Sequence, residues 1–251
     1  MIQYEYPFNE RIRTYLRLED LFDKLSLLIR RQDAIDHHFA LSCLFEILEV
    51  ASRSELKGEV LRDLERQKLL FQGYRGNPAI SEQALEQVVS QLDQQFAALN
   101  EMTGKIGQAL QEQEFLTSLR SRFGIPGGSC EFDLPGYHAW QHRDAAVRSQ
   151  DLQRWAASLW PLAQTVRLLL QLLRQSGTRQ KVMATAGQLQ QNLPQGRTFQ
   201  LLRIRLDAAA GFVPEISCNR LLVVIRMMEQ DSDGHLSASS QEVPFEMTLC
   251  A

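Results

Sequence analysis

Lysine is scarce in this 251-residue chain: 5 of its 27 basic residues, against 22 arginines. An arginine fork grips a carboxylate through two parallel hydrogen bonds, where lysine offers a hydrated point charge. Composition alone leaves open whether those forks serve internal ion pairs or a partner. Long apolar runs are missing too. Stretches such as Leu221 to Ile225 reach about five residues, against roughly twenty for a membrane helix, so membrane insertion is not expected. The start, MIQYEYPFNERIRTYLR, has no apolar stretch behind a positive region, so no secretory signal is expected. The four cysteines, Cys43, Cys130, Cys218 and Cys250, form no CxxC pair. Free, buried thiols in a cytoplasmic protein are the expectation. No GxxxxGK[ST] and no GxGxxG is present, which removes the phosphate-loop and dinucleotide cases. Nor is there a basic excess: a formal charge of -3 and a pI near 6.0 count against a dedicated DNA-binding protein.

What is present suits an ordinary globular chain. Hydrophobic residues are 44% and charged residues 23%, enough to build one large core or two modest ones. Charge is uneven along the sequence. Residues 115–226 carry 14 basic and 6 acidic groups, a net of +8, while 82–114 and 227–251 each carry -5. Such a stretch points either to a positive surface for an acidic partner or to arginines that pair with the acidic flanks on folding.

The fold class read from pattern is α+β. A helical domain is expected over 9–176, and a smaller antiparallel β-domain over 1–8 and 177–251. Asn9 is an N-cap, and Ile12, Leu16, Leu18, Leu21, Phe22, Leu25 and Leu28 follow at helical spacing. Further helices are expected over Ile35 to Ala51, Ser54 to Gly73, Ser81 to Leu99 and Ile106 to Phe123. The run GIPGGSCEFDLPG (124–136) cannot be helical. Helix resumes near His138 and again from Gln150, with Pro161 starting or kinking one. There Leu152, Trp155, Leu159, Leu162, Val166, Leu169 and Leu173 form a seam, and Leu168, Leu170 and Leu172 make the other side apolar. Such a helix is central to its domain or shared with a second subunit. Strands are expected at Ile2 to Tyr6, Lys181 to Thr185, Phe199 to Leu206, Arg220 to Met228 and Val243 to Leu249. Ile204 and Leu206 should point inward, Arg203 and Arg205 outward.

The residues bear on three chemistries. Cys130, Asp133, His138 and His142 bring a thiol, carboxylate and imidazoles together in sequence, the ingredients of a cysteine-dependent enzyme, but they match no nucleophile signature. His37 and His38 diverge by about 100° on a helix and cannot chelate as a pair, and His138 with His142 lacks a third ligand at motif spacing. No metal and no cofactor is expected. Tyr4, Tyr6, Phe8 and Tyr15 interleave with Arg11, Arg13 and Arg17, which could stack nucleic-acid bases, yet such spacing also describes a core. A fourth constellation is cationic. Arg13 and Arg17 share a helix face, Arg120 and Arg122 end a helix before the PGG turn, and His138 follows. Together they would hold a carboxylate-bearing segment.

Three blocks, YEYPFNERIRTYLRLEDLF, LRSRFGIPGGSCEFDLPGYHAWQH and SLWPLAQTVRLLLQLLRQS, resemble the ZapD family of bacterial cell-division proteins. Weaker matches, VPEIS and the strand from Arg220 to Met228, extend the likeness over nearly the whole chain. The resemblance implies a cytoplasmic, non-enzymatic homodimer with a helical and a β-strand domain, acting at the mid-cell division site. It implies binding to the C-terminal tail of FtsZ, the tubulin-like GTPase of the division ring, and bundling of its filaments. The family's basic contact positions look like Arg17 and His138, with Arg13 beside them. Arg53, Arg220 and Arg226 also align with basic positions. Glu112 and Glu114 stand where relatives can carry Arg, which thins the positive surface. No nucleic acid is among the implied partners.

Overall fold

The fold is that of a computed structural model, which describes every residue except 53, 54 and 220. The class is α+β. The chain forms two compact units, Leu16–Leu169 and Met1–Tyr15 with Leu170–Ala251.

The helices begin where capping side chains allow. Asn9 Oδ1 accepts from the Ile12 amide at 2.9 Å and opens α1 (Glu10–Ile29). Asp33 accepts from Ile35 at 2.8 Å and opens α2 (Ala34–Ala51). Ser81 does so for α4 (Glu82–Glu101), which forms a hairpin with α3 (Leu56–Gln72). The Ser54 start expected for α3 lies outside the described residues. Ion pairs Lys68–Asp93 and Arg75–Glu86 tie that hairpin together.

One expected helix, 106–123, is two: α5 (Gln108–Gln111) and α6 (Glu114–Phe123). The backbone turns extended at Gln113, ψ 115°, and the Thr117 hydroxyl meets the freed Gln111 and Gln113 carbonyls at 2.8 and 3.0 Å. Next come α7 (Pro135–Gln141), α8 (Ala145–Ala157) and α9 (Trp160–Gln175). α7 and α8 each start a few residues before the expected points. Pro161 does separate two helices, as its missing amide requires. The seam residues from Leu152 to Leu173 are at most 6% exposed, so the seam is core within one chain.

Eight strands are described where five were expected. One sheet has the order β1-β4-β8-β2, from β1 (Ile2–Pro7), β2 (Arg179–Ala184), β4 (Leu201–Leu206) and β8 (Val243–Cys250). The other has the order β3-β6-β5, from β3 (Gln188–Asn192), β5 (Phe212–Cys218) and β6 (Leu222–Gln230), with β7 (Leu236–Ala238) also on β6. Every pairing is antiparallel. Leu202, Ile204 and Leu206 of β4 meet Val243, Phe245 and Met247 of β8 and Val223, Ile225 and Met227 of β6 in one core, a two-layer sandwich.

The outward arginines of this unit are engaged. Arg174 and Arg203 converge on Glu5 at 2.7 and 2.9 Å, and Arg205 and Arg179 on Glu246 at 3.3 and 3.5 Å. Four arginines of the +8 stretch are thus engaged by two carboxylates from outside it.

β2 and β3, which lie in different sheets, are joined through a Thr185–Gln188 bridge that closes on Ala186 and Gly187, both with positive φ, 50° and 73°. This is the twist a two-residue hairpin needs, yet alanine pays about 1 kcal/mol or more to adopt it. A Cβ on Gly187 would fall 1.8 Å from the Ser239 carbonyl oxygen. Ala186→Asn is therefore expected to stabilise the chain by about 0.5–1 kcal/mol in urea unfolding. Gly187→Ala should destabilise it by more than that gain. Equal midpoints for both variants would refute the turn.

Candidate functional site

A knot of rings occupies the helical unit where α2, α6, α7 and α8 meet. Tyr137 and Trp140, three apart on α7 and each 2% exposed, stack at 5.9 Å. Trp140 lies 5.9 Å from Trp155, and its indole N–H donates to Asp151 at 3.0 Å. Phe123, the last residue of α6, stacks on His38 at 4.7 Å and meets Phe45 edge-on at 5.1 Å. His38 Nδ1 and the Tyr137 hydroxyl share a hydrogen bond of 2.7 Å. Burial lowers the His38 pKa and raises that of Tyr137, so both stay neutral at pH 7.

Two turned-in residues force others out. With Tyr137 and Trp140 packed inward, His138 and His142 face solvent, one turn apart, with rings 4.4 Å from each other. His142 Nδ1 is hydrogen-bonded to the His138 carbonyl at 2.8 Å.

At the end of α6, Arg122 joins His38, Phe123, Gly124, Ile125, Pro126, Gly127 and Ser129 around a concavity of about 380 Å³. The sequence of this loop explains its shape. Gly127 has φ 70°, and a Cβ on Gly128 would meet the Arg122 carbonyl at 2.7 Å. Apolar groups border this loop: Ile125 is 47% exposed and Phe132 79%. Arg120 is exposed and has no ion pair among the described residues. Arg122 stands 3.9 Å from Asp133, a long contact between side chains that both see water. Such a pair is worth about 0–1 kcal/mol and exchanges easily for another carboxylate.

The other anticipated residues lie elsewhere. Arg17, exposed on α1, lines a separate concavity of about 370 Å³ with Asp20, Leu21, Lys24, Glu46, Glu49 and Val50. It shares no lining residue with the Arg122 concavity, and its neighbours include three acids. The two sites are therefore not one cationic pocket. Arg13 is held by Glu10 at 3.1 Å, and Arg226 stands 3.8 Å from Glu215. Arg53 and Arg220 lie outside the described residues.

The competing chemistries find little geometry. Cys130 sits in a turn, its carbonyl accepting from Leu134 at 2.9 Å, and no hydrogen bond joins its thiol to His138 among the described residues. No group of three metal-binding side chains gathers among those residues. Tyr15 is 1% exposed, and Tyr4, Tyr6 and Phe8 pack on the β core, so these rings offer no open stacking platform. No described helix is long and apolar enough to cross a membrane.

The sequence pointed to His38 only as half of a rejected metal pair with His37, and gave no functional role to Phe123 or Phe132. Phe132 carried a usable signal: a lone aromatic in a Gly/Pro-rich run has no helical neighbours to bury it.

The model of the ZapD family, described as a cell division protein, matches residues 16–226. The chain is 47% identical over 251 residues to the cell division protein ZapD of Ralstonia pickettii (strain 12J), covering 100% of this chain and 99% of that relative.

Tyr137→Phe removes the bond to His38 and is expected to cost the helical unit about 1 kcal/mol. Trp140, Trp155 and Trp160 all lie in that unit, so urea unfolding followed by tryptophan fluorescence reads it directly. An unchanged midpoint would mean the bond contributes nothing.

Proposed function

The chain belongs to the ZapD family of cell-division proteins, and from that premise we propose that it is a homodimeric adaptor that binds the C-terminal tail of FtsZ and bundles FtsZ filaments. On this reading it works in the cytoplasm, at mid-cell, and catalyses nothing.

The observation that carries the reading is the α6–α7 surface. Arg120 and Arg122 are exposed cations near the end of α6, His138 on α7 and His142 just past its end are exposed, and Ile125 and Phe132 offer apolar area on the loop between the two helices. An extended peptide with both acidic and apolar side chains uses both kinds of contact. Arg17 supplies a further cation on α1. The residues proposed to contact the tail are Arg13, Arg17, Arg53, Arg120, Arg122, His138, Arg220 and Arg226; exposure of Arg120, Arg122 and His138 supports their part in it. Crosslinking needs two tail sites, and a two-fold dimer supplies them without an internal repeat.

Pelleting FtsZ polymer with and without the protein tests this reading. Co-sedimentation is expected at moderate salt and should fade as salt rises, because exposed charge pairs are screened. Arg120→Glu with Arg122→Glu should weaken tail-peptide affinity on the order of tenfold or more, since each reversal replaces an attraction by a repulsion. Arg17→Glu should abolish bundling while the circular dichroism spectrum stays native. Phe132→Ser should change stability by less than about 0.5 kcal/mol yet weaken capture. Absence of FtsZ from the pellet at every salt concentration would sink the proposal.

A further inference from the structure

Arg148 of α8 is 6% exposed, and no carboxylate is among its hydrogen-bond partners. Its Nε donates to His37 Nδ1 at 3.0 Å. One terminal nitrogen donates to the Gln141 carbonyl at 3.0 Å and to that of Arg143; the other donates to the Gln32 carbonyl at 2.7 Å. A buried cation is tolerated when it is fully hydrogen-bonded, and here neutral acceptors supply every bond.

His37 is 0% exposed, and its tautomer is dictated by these bonds. Nδ1 accepts from Arg148, so it carries no proton. Nε2 holds the ring's single N–H and donates to the Arg31 carbonyl at 2.7 Å. A proton on Nδ1 would set two N–H groups head to head and place a second positive charge beside the guanidinium. Burial, the largest influence, already lowers the His37 pKa, and Arg148 adds to this.

Among the surrounding charges Asp36 favours a protonated ring, but as a smaller influence than burial or Arg148. Asp36, on the same helix, is paired with the Arg31 guanidinium at 3.2 Å. Asp33 caps α2. From α8, Asp151 holds Arg154 at 2.7 Å, the Trp140 indole at 3.0 Å and Arg143 at 3.7 Å. His38 is engaged by Tyr137, and Trp140 faces His37 at 6.4 Å with an uncharged ring.

We infer that Arg148 is a positioning residue for α7, a clasp between the α7–α8 turn and the α1–α2 turn that holds only while His37 is neutral. The geometry is direct. Gln141 ends α7, and Gln32 precedes α2, so one guanidinium bolts the helix that displays His138 to the helix that carries His38. The relevance to partner capture rests on the proposed tail-binding reading; the clasp itself does not. Protonated His37 releases the helix on which His138 rides.

The sign of the effect follows from linkage. A histidine whose pKa is depressed in the closed state binds its proton when the clasp opens. Closure is therefore complete above the ordinary value of about 6.5 and is progressively lost below it.

Amide hydrogen exchange of the full-length protein, from about pH 7.5 to about pH 5.5, tests the clasp. After correction for the intrinsic chemical rate, opening of the segment from Gly136 to Arg143 should rise by up to about tenfold per pH unit below pH 6.5. The α3–α4 hairpin should not follow. His37→Gln keeps an acceptor and a donor without a titrating proton, and should abolish this pH dependence. Nitrogen NMR of the wild-type imidazole provides a readout that survives a misfolded variant, with Nδ1 unprotonated at neutral pH. Protection that is pH-independent in the wild type, equally pH-dependent in His37→Gln, or accompanied by a protonated Nδ1 overturns the inference. Tail-peptide binding in the same samples separates the two readings. Binding absent at every pH defeats the tail site and leaves the clasp standing, whereas binding with unchanging exchange defeats the clasp alone.

Discussion

A seven-residue helix has too few hydrogen bonds to hold itself in water. α7 is held instead by what it buries. Tyr137 and Trp140 sink into the ring knot, and Arg148 seizes the carbonyl at its end. Everything attributed to the surface depends on this anchorage. Because positions 137 and 140 must face inward, positions 138 and 142 must face out. Because Phe123 is stacked on His38, the end of α6 and its arginines are fixed beside the IPGG loop. Binding geometry on the exterior is set by packing on the interior, which is the usual way a short loop-rich site acquires precision.

Arginine plays three distinct physical parts in the chain. On the β-sandwich it is answered: Glu5 and Glu246 each take two forks. In the helical unit one fork, that of Arg148, is buried and satisfied by carbonyls and an imidazole. Only a remainder, Arg120 and Arg122 among them, stands in water with little or nothing to hold. A count of basic residues overstates the positive surface, since several arginines of residues 115–226 are engaged by carboxylates or buried within the chain.

How much of this was legible depends on range. Local rules worked: Asn9 and Ser81 cap helices, Pro161 divides two, and Leu202, Ile204 and Leu206 alternate inward between engaged arginines. Strand β3, with the sequence QLQQN, escaped notice because it contains one β-forming residue and is specified by pairing with β6. β5 escaped because Pro214 argues against a strand. Its edge position, at which Pro214 faces Met227, removes the objection. Long-range partners were invisible altogether. Nothing in the sequence near Arg203 announces Glu5, 198 residues away, nor does His38 announce Tyr137 at a separation of 99. That is why the single pocket expected of the cationic residues was not found: Arg17 and Arg122 line different concavities.

The character of the α6–α7 surface bears on how a crosslinker would use it. Its cations are few and solvated, and one is already loosely engaged by Asp133. Exposed pairs of this kind contribute at most about 1 kcal/mol each, so a single peptide held here gains little beyond what its apolar groups bury. Weak contact is an advantage in a filament bundler. Two linked sites convert the second encounter into an intramolecular one, and effective concentration multiplies the modest affinity of each. A tight site would trap filaments in their first arrangement; a weak, paired one lets them slide, release and rebind while the bundle persists. The sparse positive face is thus compatible with the proposed role for the same reason that it would be a poor design for a one-to-one receptor.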